Sequence, residues 1–187
     1  CHKLPGTLFT RRLLGIDEIT AATAKFIERY REANPNVRFI FTVSPIRHLR
    51  DGAHDNQLSK STLLLAVDRL EKMYPGTVFY FPAYEIVNDE LRDYRFYAAD
   101  MVHPSQVAVD YIWERFTECC FTEETKSLNR SIEEINRAMQ HRPFDPDAPA
   151  YRKFIQNVLD NIKVLKEQHP YLDFEKEIMQ CNTLSSR

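Results

Sequence analysis

Asp100 and His103 stand three residues apart in Tyr97-Ala98-Ala99-Asp100-Met101-Val102-His103-Pro104-Ser105. An imidazole takes and returns a proton near neutral pH, and a carboxylate that accepts its Nδ1–H fixes tautomer and orientation. Such a pair is the acid–base half of a hydrolytic triad. A helix entrance would use the same residues, because Ser105 can cap the helical pattern Gln106–Cys120. The nucleophile is harder to find. Ser44 ends a strand-like run, but no glycines flank it and Pro45 has no N–H to give an oxyanion hole. Ser59 and Ser61 flank Lys60 on a helix, where adjacent residues do not face each other. Cys1 could act through its own amine or carry a lipid. The spacing of His48, Asp51, His54 and His103 matches no zinc pattern. No metal and no cofactor is expected.

The elements that would position this pair follow from periodicity. Asp17 opens a helix whose Ile19, Ala22, Phe26, Tyr30 and Ala33 keep helical spacing, and Asn34-Pro35-Asn36 ends it. Val37–Val43 is β-rich and apolar on both faces apart from Arg38 and Thr42, as suits a buried parallel strand. A helix over Asn56–Met73 carries a broad apolar face, with Leu58 and Leu65 beside Leu63, Ala66, Leu70 and Met73. Tyr74-Pro75-Gly76 stops it, and Thr77–Phe81 reads as a second buried strand. This order predicts an α/β fold: an open parallel sheet covered by helices. Function in such sheets gathers in loops beyond the carboxyl ends of the strands, here Ser44–Gln57 and Pro82–Ser105. Arg47, His48, Asp100 and His103 are expected to converge there, with Asn56 and Arg95 as further substrate-binding candidates.

Beyond the helix Gln106–Cys120 the texture changes. Leu128, Ile132, Ile135 and Met139 form one stripe, and Tyr151, Phe154, Val158, Ile162 and Leu165 form another. Arg142-Pro143-Phe144-Asp145-Pro146 separates them. Two amphipathic helices joined in this way predict an antiparallel hairpin, which could simply pack back on its own domain or serve as an interaction arm, a lid or a homo-oligomer interface. The expected domains are residues 1–120, the α/β part, and 121–187, the hairpin.

The 187 residues carry a formal net charge of −2 and a pI near 6.3. No basic patch interleaved with aromatics points to nucleic acid. No apolar run approaches a membrane span, and no signal peptide leads the chain. Cys1, Cys119, Cys120 and Cys181 form no disulfide framework, and Cys119 and Cys120 read as buried thiols. A cytoplasmic location fits. Cys1-His2-Lys3-Leu4-Pro5 reads as the interior of a longer protein.

Longer strings are more specific. Thr42-Val43-Ser44-Pro45-Ile46-Arg47-His48, Asn56-Gln57-Leu58-Ser59-Lys60, Tyr80-Phe81-Pro82-Ala83-Tyr84-Glu85, Leu91-Arg92-Asp93-Tyr94-Arg95-Phe96-Tyr97 and Asp100-Met101-Val102-His103-Pro104-Ser105 resemble the GSCFA family over about residues 1–120. That family is similar to the SGNH, or GDSL-like, hydrolases. The resemblance implies a three-layer α/β/α fold and an esterase or acyl-ester hydrolase with a Ser-Asp-His triad. Asp100 and His103 would be two triad members, acting on a small-molecule or glycan acyl ester. The Gly-Ser-Cys-Phe-Ala segment with its serine is absent from these residues, so the nucleophile is expected outside this chain. The competing expectation is a catalytically silent interaction or structural module that works through its helical hairpin.

Overall fold

The computed structural model describes residues 4–10, 12–144 and 148–185. The readings of Cys1, and of Asp145 and Pro146 in the turn, fall outside them. The chain divides into two compact units, Cys1–Cys119 and Cys120–Arg187.

In the first unit, helix α1 (Ile16–Ala33) leads to strand β1 (Phe39–Phe41), helix α2 (Gly52–Met73) and strand β2 (Val78–Tyr80). A short turn α3 (Ala83–Glu85) runs into a π-helical turn over Ile86–Glu90, and helix α4 (Gln106–Cys120) closes the unit. The strands pair in parallel, with Phe39 opposite Val78, Ile40 opposite Phe79 and Phe41 opposite Tyr80. One sheet face packs on the helices. Ala24 and Ile27 of α1 join Leu70, Tyr74 and Val78 in a core, with Phe39 and Phe41 against it. The Tyr74 hydroxyl donates to Glu28 Oε1 (2.8 Å) and so ties the end of α2 to α1. A separate core of Phe81, Ala83, Ile86, Leu91 and Ala108 seats α4 on the segment after β2.

The three-layer α/β/α sandwich expected from the sequence is not the fold. The described residues form mainly helices and one two-stranded, unclosed sheet. Only two runs carry strand-like apolarity on both faces, and just three residues of each enter the ladder. The second face is not sealed by a helical layer, since Ile40 and Phe79 remain 47% and 40% exposed. The phase of α1 also differs from the sequence reading. Thr20, Ala24 and Ile27 turn inward, whereas Phe26 and Tyr30 are about half exposed. α2 starts at Gly52, ahead of the expected Asn56. Its Leu58, Leu65 and Met73 stay exposed, because the short sheet reaches only part of the apolar face.

The second unit is helical: α5 (Glu123–Gln140), α6 (Pro149–Gln168) and α7 (Glu175–Ser185). Thr122 caps α5 by accepting the Thr125 N–H (3.2 Å). The α6 stripe is the spine of this unit, with Tyr151, Ile155, Val158, Leu159, Ile162 and Leu165 buried. Ile135 of α5 and Phe174 and Cys181 join the same core. Helix α7 makes this unit three helices where two were expected. Cys119 and Cys120 are exposed rather than buried, and Cys181 is the buried thiol.

Gly76 turns the chain from α2 into β2 with φ 75°, and the Thr77 and Val78 N–H groups both return to the Tyr74 carbonyl. A Cβ there would meet no atom within 4 Å, so conformation alone sets the cost of filling it. Gly76→Ala is expected to destabilise the first unit by about 1–2 kcal/mol, read as a lower urea midpoint with unchanged m-value.

Candidate functional site

The loop that carries Asp100 and His103 is built by its own backbone. Tyr97 and Pro104 form an antiparallel bridge at its base. The Ala98 N–H donates to the His103 carbonyl (2.8 Å), and the Ser105 N–H donates to the Phe96 carbonyl (2.7 Å). At the tip, Met101 sits in the left-handed region with φ 60°, a conformation that costs a non-glycine residue about 1–2 kcal/mol. Asp100 holds that tip. Its Oδ1 accepts the Val102 N–H (2.9 Å) and the His103 N–H (3.0 Å), while Oδ2 lies 2.6 Å from His103 Nδ1. Donors converging on one carboxylate favour its charged form. The His103 N–H, then the Val102 N–H and then the His103 ring hold the Asp100 carboxyl down at about 2. Both side chains are half exposed, 50% for Asp100 and 58% for His103.

Arg47 is half-buried beside the foot of this loop. Its Nη2 donates to the Tyr97 hydroxyl (3.1 Å), with Cζ 4.5 Å from the Tyr97 ring centroid. A cavity of about 200 Å³ lies here, lined by Arg47, Asn88, Arg92, Asp93, Tyr94 and Tyr97 among others. The other sequence-predicted residues do not line it. The His48 N–H donates to Asn56 Oδ1 (2.9 Å), so Asn56 pins the loop that enters α2. Arg95 stays local, with its Nε 3.8 Å from Asp93 Oδ2 and its Cζ 5.0 Å from the Phe96 ring centroid. Asp100 with His103 and His48 with Asn56 are therefore brought together as two pairs. Arg47 joins neither, and its partner is Tyr97.

Three polar groups escaped the sequence reading. Tyr97 was legible only as the residue before the loop. Tyr80 donates its hydroxyl to Glu85 Oε2 (2.8 Å), and burial first, then Glu85, pushes its pKa up. Lys60 is only 2% exposed, and burial lowers its pKa. A lysine between two serines gives no signal of burial. Its position on α2, one helical row from the core, was the available cue.

The SGNH-like hydrolase expectation, with its triad and acyl-ester substrate, is corrected by the fold. The described residues are mainly helical with a single three-residue ladder, and among them there is no broad sheet whose strand ends would present a triad. The serines nearest the loops do backbone work. Ser44 Oγ accepts the Ile46 N–H (3.2 Å), and Ser105 Oγ accepts the Ala108 N–H (3.4 Å) at the start of α4. Among the described residues, no group of three or more His, Cys, Asp or Glu side chains could hold a metal ion.

The pattern of the GSCFA family matches residues 1–116, and that of the GSCFA domain protein, C-terminal domain, matches residues 132–184. No curated protein and no solved structure matches the chain.

The Asp100 geometry sets a pH dependence. Its folded pKa lies at about 2, below the ordinary 3.8. The stabilisation it gives is therefore full above the ordinary value and is lost as pH falls toward the folded one. Hydrogen-exchange protection of the Val102 and His103 amides, corrected for intrinsic rates, should fall across that window. Asp100→Ala should remove this protection at neutral pH. Unchanged protection in the variant would mean that the loop holds without its carboxylate.

Proposed function

The chain belongs to the GSCFA family, and we propose that it works as a catalytically silent interaction module whose C-terminal helical unit supplies the docking surface. The observation that carries this reading is the two-sided character of α7. Its inner side contributes Cys181, fully buried in the core of the unit. Its outer side is an open surface carrying Glu175, Met179, Asn182 and Thr183. Met179 is 71% exposed, and Tyr171, just ahead of the helix, is 74% exposed. Apolar side chains grouped outside a finished core support a surface kept for a partner.

The partner we assign is a second copy of this chain. Most oligomers are symmetric, and an isologous contact sets one apolar ridge against its own image. The Asp100–His103 pair then has a structural role, which is to hold the loop before α4. No helix among the described residues is long and apolar enough to cross a membrane. The free thiols of Cys119 and Cys181 fit a reducing compartment, and we assign the chain to the cytoplasm.

Sedimentation of the full chain tests this. Wild type should form a concentration-dependent dimer, and Met179→Glu should weaken it at least tenfold while helix content stays unchanged. A chain that remains monomeric at about 100 µM, well above the Kd of a specific interface, would overturn the reading.

A further inference from the structure

The two edges of the sheet differ. In a parallel ladder each residue directs its N–H and C=O to the same side, and successive residues alternate. Phe39 donates to the Thr77 carbonyl and Phe41 accepts from Phe81, so both face β2. Ile40 therefore presents its N–H and C=O to the outer edge of β1, where no partner is found among the described residues. The outer edge of β2 is closed. The Val78 N–H donates to the Tyr74 carbonyl (3.0 Å), and the Tyr80 N–H donates to Glu71 Oε1 (2.8 Å).

The open edge has apolar walls on both faces. On one side Phe26 and Tyr30 of α1 cluster with Phe39, with ring centroids 4.6–6.4 Å apart. Phe26 and Tyr30 are 46% and 50% exposed. With Lys25, Arg29 and Ala33 they line a groove of about 610 Å³. On the other side Ile40 and Thr42 meet Phe81, Val109 and Trp113 of a second, almost wholly apolar pocket of about 370 Å³. The charged side chains that line the groove are basic. Lys25 and Arg29 stand in the groove, and Arg38 is exposed at the start of β1. None of the three has an ion-pair partner among the described residues.

We propose that the β1 edge takes one additional strand: an extended segment, built of β-branched residues in its middle and acidic at its ends. Backbone pairing to Ile40 would supply the affinity, and the aromatic groove and the Trp113 pocket would select its side chains. The acidic ends follow from Lys25, Arg29 and Arg38. The same charges disfavour a second copy at this edge, because pairing β1 with itself would bring two sets of these three cations into one interface. This surface belongs to the first unit and is independent of the α7 surface.

The test uses the full chain and two fluorescein-labelled peptides, Asp-Val-Thr-Val-Thr-Val-Asp and its twin with lysine at both ends. The aspartate peptide should bind with a Kd below about 1 mM, and the lysine twin at least tenfold more weakly. Ile40→Pro should abolish binding, since it removes an outward N–H and leaves the β1–β2 bonds in place. The double variant Lys25→Glu, Arg29→Glu changes only exposed positions of α1 and should reverse the preference between the peptides. That variant carries the test if Ile40→Pro does not fold. Failure of both peptides to bind, equal binding of the two, or a preference that the double variant leaves unchanged would overturn the proposal. So would a dimer of the chain that Ile40→Pro dissolves and Met179→Glu does not.

Discussion

Ile27 and Leu70, at 0% and 1% exposure, are the contact on which the first unit rests. A parallel ladder three residues long cannot sustain itself in water, because small sheets need an apolar face covered by other elements. Here the covering is α1 and α2, joined to the sheet through Ile27, Leu70 and Val78. The cost of this arrangement is visible on the opposite face. Two helices can seal one side of a two-stranded sheet, so Ile40 and Phe79 keep much of their surface in solvent. The open β1 edge and the exposed Phe26–Tyr30 pair follow from the same shortage of strands.

The loop before α4 obeys a different economy. It places Met101 in the left-handed region and gathers the two following N–H groups on Asp100. A buried loop could not do this, because the carboxylate would have to shed its water. Half-exposed, Asp100 keeps its solvation and still organises the turn. His103 adds a bond through Nδ1, and Arg47 stacks on Tyr97 at the base. An Asp and a His within hydrogen-bond reach are thus accounted for by the loop they sit in, without a substrate.

The helical parts of the fold were the most legible in the sequence. The stripes Leu128–Met139 and Tyr151–Leu165 each repeat over several turns, and a sustained repeat fixes the buried face of a helix. α7 leaves little trace in the sequence because it is eleven residues long and buries only part of one side, so its period is weak. In α1 helical spacing points to the heaviest side chains, Phe26 and Tyr30, as the buried ones. Burial went to Thr20, Ala24 and Ile27, which lie on the row facing α2 and the sheet. The sheet itself was overdrawn. Two strand-like runs were visible, and the further strands of a layered sandwich came from family resemblance rather than from residues in this chain. At the candidate site, the contact of Asp100 with His103 follows from sequence spacing. The partnering of Arg47 with Tyr97 does not, because fifty residues separate them and nothing local marks the pair.

The central claim is that this chain acts by contact rather than by hydrolysis, and a serine-directed fluorophosphonate probe tests it most directly. The account predicts no stoichiometric labelling of the native chain by mass spectrometry, with any slow background label unaffected by His103→Ala. Rapid labelling of one serine that disappears in both His103→Ala and Asp100→Asn would contradict it, since it would show the pair activating a nucleophile.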